Sequence, residues 1–494
     1  MADDHRNFIG GKWVPAESGD TFESRNPANR DEVLGTFPRS GSEDVARAVE
    51  GARVAYREWM QTPVPERADY LLRAGLILER RKEELSELMT REMGKTLKES
   101  RGDVQEGIDF CFYMAGEGRR FFGHTVPAEL RNKFSMTIRH PIGVVGLITP
   151  WNFPIAIPLW KIAPAIVSGD TSIFKPAEDT PLLATLLVQT FEEVGLPPGV
   201  LNLVHGYGEE CGESLVVHPD VRAISFTGSL EVGRHIAETC GRLMKRCSLE
   251  LGSKNVLIVM PDADMDLAVE ASAWGAFATS GQRCTATSRL VVHHAARDEF
   301  TDRLVQRVKG MKVGSGLDPE VELAPVINAK QKERVLEYIE IGKKEGAKVL
   351  TGGQELTGDG YDKGNFIEPT IFDEMTPDMR IAQEEIFGPV TGIIRTDDVD
   401  QAIDIANSTG YGLSASIYTH DITNVFTAIQ QLEFGVVYVN APTIGAEVQL
   451  PFGGMKNTGN GHREAGPQAL DEFTEWKAVS VDFSGKVQKA QGID

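Results

Sequence analysis

From residue 143 onward the chain alternates short apolar runs with stretches of helical periodicity, and few architectures satisfy that alternation. The runs fall at 143–149, 171–174, 200–204, 221–226 and 255–260. Strands separated by helices join through right-handed crossovers, so these runs predict a parallel sheet. A second series follows, with runs at 289–292, 347–350, 413–418 and 435–440. Helices are expected between them over 296–310, 331–345, near 399–407 and near 422–432. We place the change from one α/β unit to the next just after Glu250. Ahead of residue 143, apolar positions at Val45, Val49, Ala52, Ala55 and Trp59 predict a helix over 43–60. Residues 66–100 read as one or two charged helices and 101–119 as another.

Two patches fit neither unit. Residues 125–141 alternate through Phe134, Met136 and Ile138, and residues 473–483 alternate as well. Both read as exposed edge strands, which soluble proteins cover. Pairing between subunits would cover them, so an oligomer, a dimer or tetramer, is expected.

A chain of 494 residues is too long for one ordinary core, which implies two or three domains. The net charge of −21 argues against nucleic acid or an anionic membrane surface as a partner. No run of about 20 apolar residues is present, so no membrane span is expected. The first residues are polar, without the apolar region of a secretion signal. Five cysteines, in no metal-binding pattern, fit a reduced, cytoplasmic setting.

Among those cysteines Cys284 stands apart, and Cys111, Cys211, Cys240 and Cys247 read as packing residues. Cys284 follows a helical stretch at 265–280, and its neighbours are Gly281, Gln282, Arg283 and Thr285. Buried structural thiols prefer apolar neighbours, so this polar loop favours a nucleophile. Asn152 lies between Pro150 and Pro154. It either satisfies its own rigid turn or aims an amide N–H at a developing oxyanion. Glu250 closes an apolar strand and is either an exposed cap or an acid tuned for proton transfer. The glycines from Gly206 to Gly212 have the wrong spacing for a dinucleotide fingerprint and carry two acids, so they read as a loop. Gly228 to Gly233 follow a strand and open a helix whose N-terminus could face a pyrophosphate.

Seven ordered motifs now combine. They are Pro150 to Pro154, Lys175 to Glu178, Phe226 to Ser229, Glu250 to Gly252, Gly281 to Cys284, Glu384 to Pro389 and Pro451 to Gly454. Over nearly its whole length the chain resembles the aldehyde dehydrogenase superfamily. That resemblance implies an α/β fold with a Rossmann-like NAD-binding domain over 1–122 and 142–252. A catalytic domain would span 253–452, and oligomerisation strands 123–141 and 467–494. It implies Cys284 as nucleophile, Asn152 with the Cys284 backbone N–H as oxyanion hole, and Glu250 as the base that activates water. Lys161 and Glu464 match the family's proton path. Cofactor contacts would come from Ile148, Thr149, Pro150, Trp151, Lys175, Glu178, Gly208, Phe226, Gly228, Ser229, Leu251, Glu385 and Phe387.

The implied reaction is NAD-dependent oxidation of an aldehyde to an acid through a cysteine hemithioacetal and thioester. A free thiol titrates near pH 8.5, so the site must lower that value or recruit a base. A carboxylate at Glu178 would accept ribose hydroxyls and repel a 2′-phosphate, which favours NAD while leaving NADP possible. The chain also looks like the ketoglutarate-semialdehyde and antiquitin-like branches, in residues 439–447 and the tail 490–493. Those branches make Glu106 and Arg283 substrate anchors, with Phe153, Trp160 and Phe452 beside them. Otherwise Glu106 is a solvated helix residue and Arg283 a loop brace. Departures from the family pattern are Ser253, where many members have glycine, and an extra His462. The alternative readings are a broad detoxifying dehydrogenase, a CoA-acylating enzyme, a cofactor-free thiol hydrolase and a silent structural relative. Retention of Cys284, Glu250 and Asn152 argues against a silent relative.

Overall fold

Two seven-stranded sheets carry the architecture of the computed structural model, which describes residues 3–489. The 490–493 tail lies outside those residues. In the first sheet the strand order is Arg246–Glu250, Ala223–Thr227, Val144–Ile148, Thr171–Lys175, Leu201–Leu203, Asn7–Ile9 and Lys12–Val14. The first five strands are parallel, and the two N-terminal strands add antiparallel. In the second sheet the order is Lys348–Thr351, Thr370–Asp373, Val390–Thr396, Thr287–His293, Asn255–Val259, Ser414–Tyr418 and Val436–Val439. Only the Lys348–Thr351 strand there runs antiparallel to its neighbour. The chain leaves one sheet at Glu250 and enters the other at Asn255.

The strands Val144–Ile148, Thr171–Lys175 and Asn255–Val259 are buried along their whole length, as parallel strands covered on both faces must be. Helix Ala156–Ser168 is buried at every position and packs against helix Leu97–Glu117. Thr96 and Glu99 cap the Leu97 helix reciprocally, with Glu99 Oε2 accepting the Thr96 N–H at 2.9 Å. Ser229 caps helix Leu230–Arg242 by accepting the Val232 N–H at 3.3 Å.

Several expectations change. The two alternating patches, expected to pair across subunits, pair with each other. Strand Lys133–Pro141 runs antiparallel to Thr474–Asp482, from Thr474 opposite Pro141 to Asp482 opposite Lys133. Thr125–Val126 completes this third sheet and leaves the Thr474 strand at its edge. The helix expected over 265–280 ends at Phe277. A 3₁₀ turn, Ala278–Gly281, follows, with Thr279 and Ser280 both at positive φ. Gly281 is required there: its φ is +68°, and a Cβ would lie 2.0 Å from the Gly388 carbonyl oxygen. The expected loop at 206–212 is a π-helical turn, Gly208–Gly212, running into helix Glu213–Val217.

Candidate active site

Cys284 sits where the 3₁₀ turn gives way to strand Thr287–His293, in a loop held on three sides. Asn255, heading the first strand of the second sheet, donates from Nδ2 to the Cys284 carbonyl at 2.7 Å and the Ala286 carbonyl at 2.9 Å. Gln282 is fully buried; its Oε1 accepts the Ile327 N–H at 2.9 Å and its Nε2 donates to the Thr279 carbonyl at 3.1 Å. Glu99 reaches across from the Leu97 helix and accepts the Thr279 N–H at 2.5 Å. Sequence reasoning missed all three of these braces. Their signal was a polar residue at a strand head, beside the thiol, or in a helix cap.

Asn152 is 2 % exposed and donates from Nδ2 to the Gln282 carbonyl at 3.1 Å, which ties it to the cysteine loop. Its Oδ1 is buried without a partner. One amide N–H therefore anchors the side chain and the other is available to a substrate oxygen. Burial, reinforced by Glu250, Glu385 and Glu106, pushes the Cys284 thiol up to about 12, and Arg283 offsets this only in part. The site does not lower the thiol's pKa in this state, so the expected activation falls to a base.

Glu250 ends strand Arg246–Glu250 at 3 % exposure, and its Oε1 has no hydrogen-bond partner. Desolvation, with Glu464 and Glu472 nearby, holds its carboxyl well above the usual range, against the pull of Lys161 and Arg463. Gly453 lets the backbone pass this carboxyl, since a Cβ there would lie 2.6 Å from Glu250 Oε1. Behind Glu250, Lys161 is fully buried, forms an ion pair with Glu464, and donates to Ser225 Oγ at 3.0 Å. Phe452 and Glu464 exchange backbone hydrogen bonds, which fixes the acid beside the cavity.

Cys284 and Glu250 line one cavity of about 70 Å³ with Glu106, Phe153, Trp160, Leu251, Arg283, Phe452 and Glu464. It opens past Glu106, Phe153, Arg283, Gly445 and Ala446 into a vestibule of about 500 Å³. Arg283 is the cation lining the inner cavity. Its Nε donates to Thr279 Oγ1 at 2.9 Å and its guanidinium lies 5.1 Å from the Phe153 ring centre. The loop-brace role is thus real for Nε, while the terminal nitrogens have no protein partner among the described residues. Glu106 is partly buried rather than solvated; desolvation and Asp103 push its carboxyl up to about 8. The Trp160 and Phe452 rings meet edge to face at 4.9 Å.

On the far side of Cys284 a smaller cavity is lined by Ser253, Asn255, Glu385 and Phe387. Ser253, at the family's usual glycine position, donates its N–H to Glu385 Oε1 at 2.8 Å. The Trp151 and Phe387 rings meet edge to face at 5.5 Å. A separate cleft of about 520 Å³ runs beside helix Leu230–Arg242, between Ile148, Gly208, Gly212, Val216, Phe226, Val232 and Ile236. Lys175 lies against Gly212, donates to the Pro176 and Gly206 carbonyls, and stands 3.6 Å from Glu178. Gly228 packs on the Phe226 ring, where a Cβ would come within 2.4 Å. Thr149 Oγ1 and Thr227 Oγ1 are buried without partners. The cleft is also lined by Glu209, Glu213, Glu231 and His235, and its apolar floor with the helix N-terminus beside it could hold a dinucleotide; Thr227 lines the Cys284 cavity instead. Of the expected cofactor residues, Ile148, Gly208 and Phe226 line this cleft, Glu385 and Phe387 line the cavity on the far side of Cys284, and Leu251 lines the Cys284 cavity itself.

The Aldehyde dehydrogenase family matches residues 13–479. An alpha-ketoglutaric semialdehyde dehydrogenase of Bacillus subtilis (strain 168) is 44% identical over 475 residues, covering 96% of this chain and 97% of the relative. A 2,5-dioxopentanoate dehydrogenase of Saccharolobus solfataricus is 42% identical, covering 95% and 97%. The structure of an aldehyde dehydrogenase from Bacillus cereus in complex with NAD+ superposes with a TM-score of 0.94 at 37% identity, covering 97% of both chains. The matched region takes in the cysteine loop, the Glu250 strand and the cleft alike, and the chain belongs to the aldehyde dehydrogenase family.

Proposed function

We propose that the chain oxidises a carboxyl-bearing semialdehyde to the corresponding acid, using NAD. One observation carries the substrate class: Arg283, with both terminal nitrogens uncommitted, lines the cavity that holds Cys284. A guanidinium matches a carboxylate in a two-point grip. The semialdehyde dehydrogenases among the relatives support this reading over a broad detoxifying enzyme. Arg283→Ala is expected to lower kcat/KM for a carboxylated semialdehyde at least about tenfold while sparing simple aliphatic aldehydes. An equal effect on both classes would return Arg283 to loop structure alone.

As Cys284 Sγ attacks the aldehyde carbon, its thiol proton passes to the Glu250 carboxylate and on toward Lys161 and Glu464. The new oxyanion falls to Asn152 Nδ2 and the Cys284 N–H, and its collapse with loss of hydride leaves the thioester. NAD bound along the cleft supplies the hydride acceptor. Glu385 and Phe387 bound the cavity where its reactive end would lie against Cys284. Glu250 then takes a proton from the water that hydrolyses the thioester, with Lys161 and Glu464 behind it. Lys175 and Glu178 would hold the ribose hydroxyls of the adenosine end, and Ser229 with its helix N-terminus would face the pyrophosphate. The Glu178 carboxylate disfavours a 2′-phosphate, so a catalytic efficiency higher with NADP than with NAD would contradict this assignment.

Among the described residues no helix is long and apolar enough to cross a membrane. A reducing, cytoplasmic setting suits the five free cysteines. The third sheet supplies an edge for self-association, and we assign the assembly to a homodimer or homotetramer.

A further inference from the structure

Behind Glu250 lies more acid than the deacylation step requires. Helix Ala156–Ser168 packs against the short turn Ala469–Glu472, which carries Glu472 into the interior at 4 % exposure. The Glu472 carboxyl faces Ser225 and Ser248, neighbours in register on adjacent strands. Ser225 also receives the Lys161 ammonium at 3.0 Å. Three buried carboxyls, Glu250, Glu464 and Glu472, therefore lie around one ammonium behind the Cys284 cavity. All four side chains are 4 % exposed or less. Lys161 is committed to Glu464 and Ser225. Glu250 Oε1 and Glu472 Oε1 are both buried and without partners.

We propose that Glu472 is a positioning residue for proton transfer, coupled to Glu250 so that a charge on either acid opposes a charge on the other beside the neutral Lys161–Glu464 pair. This rests on the reading of Glu250 as the deacylation base. One ammonium neutralises one carboxylate, and each further buried anion is opposed by desolvation and by its like-charged neighbours. The remaining two acids titrate as a coupled pair, not as independent groups. Their protons are lost in two steps: the first charge divides between Glu250 and Glu472, and the second forms against it. Glu472 is pushed up to about 8 by desolvation and then Glu464, in the direction such coupling requires. Of the other charged groups nearby, Arg463 pulls on Glu250, while Lys161 is the cation that lowers Glu472. The Arg246 guanidinium is bound to the carbonyls of Asp471, Glu472 and Thr474, and Arg463 donates to the His462 carbonyl. Asp471 points outward to Arg139.

The test isolates deacylation. Cys284 is acetylated with p-nitrophenyl acetate, excess reagent is removed, and loss of the acetyl group is followed by mass spectrometry from pH 6 to 10. The unmodified sequence is expected to give a rate that rises in a shallow limb, with a logarithmic slope below one. Glu472→Gln removes the competitor, so the limb becomes a single ionisation of slope one, displaced down by about one pH unit. Glu472→Asp keeps the charge and is expected to restore the shallow limb. Superposable profiles for the unmodified protein and Glu472→Gln would overturn the proposal. A slope of one in the unmodified protein would overturn it without any variant. Glu250→Gln separates the two readings: rapid deacylation by that variant removes Glu250 as the base, whereas a stalled variant with unchanged Glu472→Gln profiles removes only the role of Glu472.

Discussion

With its thiol pushed up to about 12 by burial and three carboxyls, Cys284 is protonated at neutral pH in the cofactor-free protein. Its thiolate fraction, and so its alkylation rate, must then rise about tenfold for each pH unit between 7 and 9. Iodoacetamide labelling followed by mass spectrometry checks this, and a plateau below pH 8 would show an activated thiolate already present. At this scale the residues we assign to the chemistry stood out in the sequence. A thiol among polar neighbours, an acid closing an apolar strand and an amide between prolines each stood out against its surroundings. Their supports were not. Asn255, Gln282 and Glu99 act through one or two backbone contacts each, between segments up to 180 residues apart, as from Glu99 to Thr279. Glu472 escaped notice because the turn carrying it looks polar, and only packing against the Lys161 helix buries it.

Among the elements, the long apolar strands and periodic helices were visible because each signal lies within one segment. The N-terminal strands Asn7–Ile9 and Lys12–Val14 were not, since three residues carry no periodicity and partners elsewhere make them strands. The two alternating patches were read as strands, but their pairing was assigned across subunits when each already had the other. Even paired, the third sheet keeps Phe134, Trp476 and Val481 at 46 to 49 % exposure. Helix Ile422–Gln431 shows a second apolar face, with Ile422, Phe426 and Ile429 at helical spacing and 47 to 65 % exposed. Faces of this kind mark association surfaces. Sedimentation at micromolar concentration is therefore expected to give a species heavier than the 54.1 kDa chain, and Phe426→Glu a lighter one. A monomer of the unmodified chain would contradict both assignments.

At the scale of the whole molecule, chemistry occurs where the two sheets meet. Glu250 is the last residue of the first sheet's edge strand, and Cys284 precedes a central strand of the second. The cleft we assign to the dinucleotide lies beside the first sheet and the vestibule opens between Glu106 and Gly445. Neither sheet alone carries Cys284, Glu250 and that cleft, so motifs scattered over the chain meet at one place. The central claim is that acylation by Cys284 and release by Glu250 are separate steps. Rapid-mixing measurement of NADH formation by Glu250→Gln, with NAD and a carboxylated semialdehyde in excess, tests it most directly. We expect one equivalent of NADH per active site and then a stall, with the acyl group retained on Cys284. Sustained turnover at the rate of the unmodified enzyme would contradict the account.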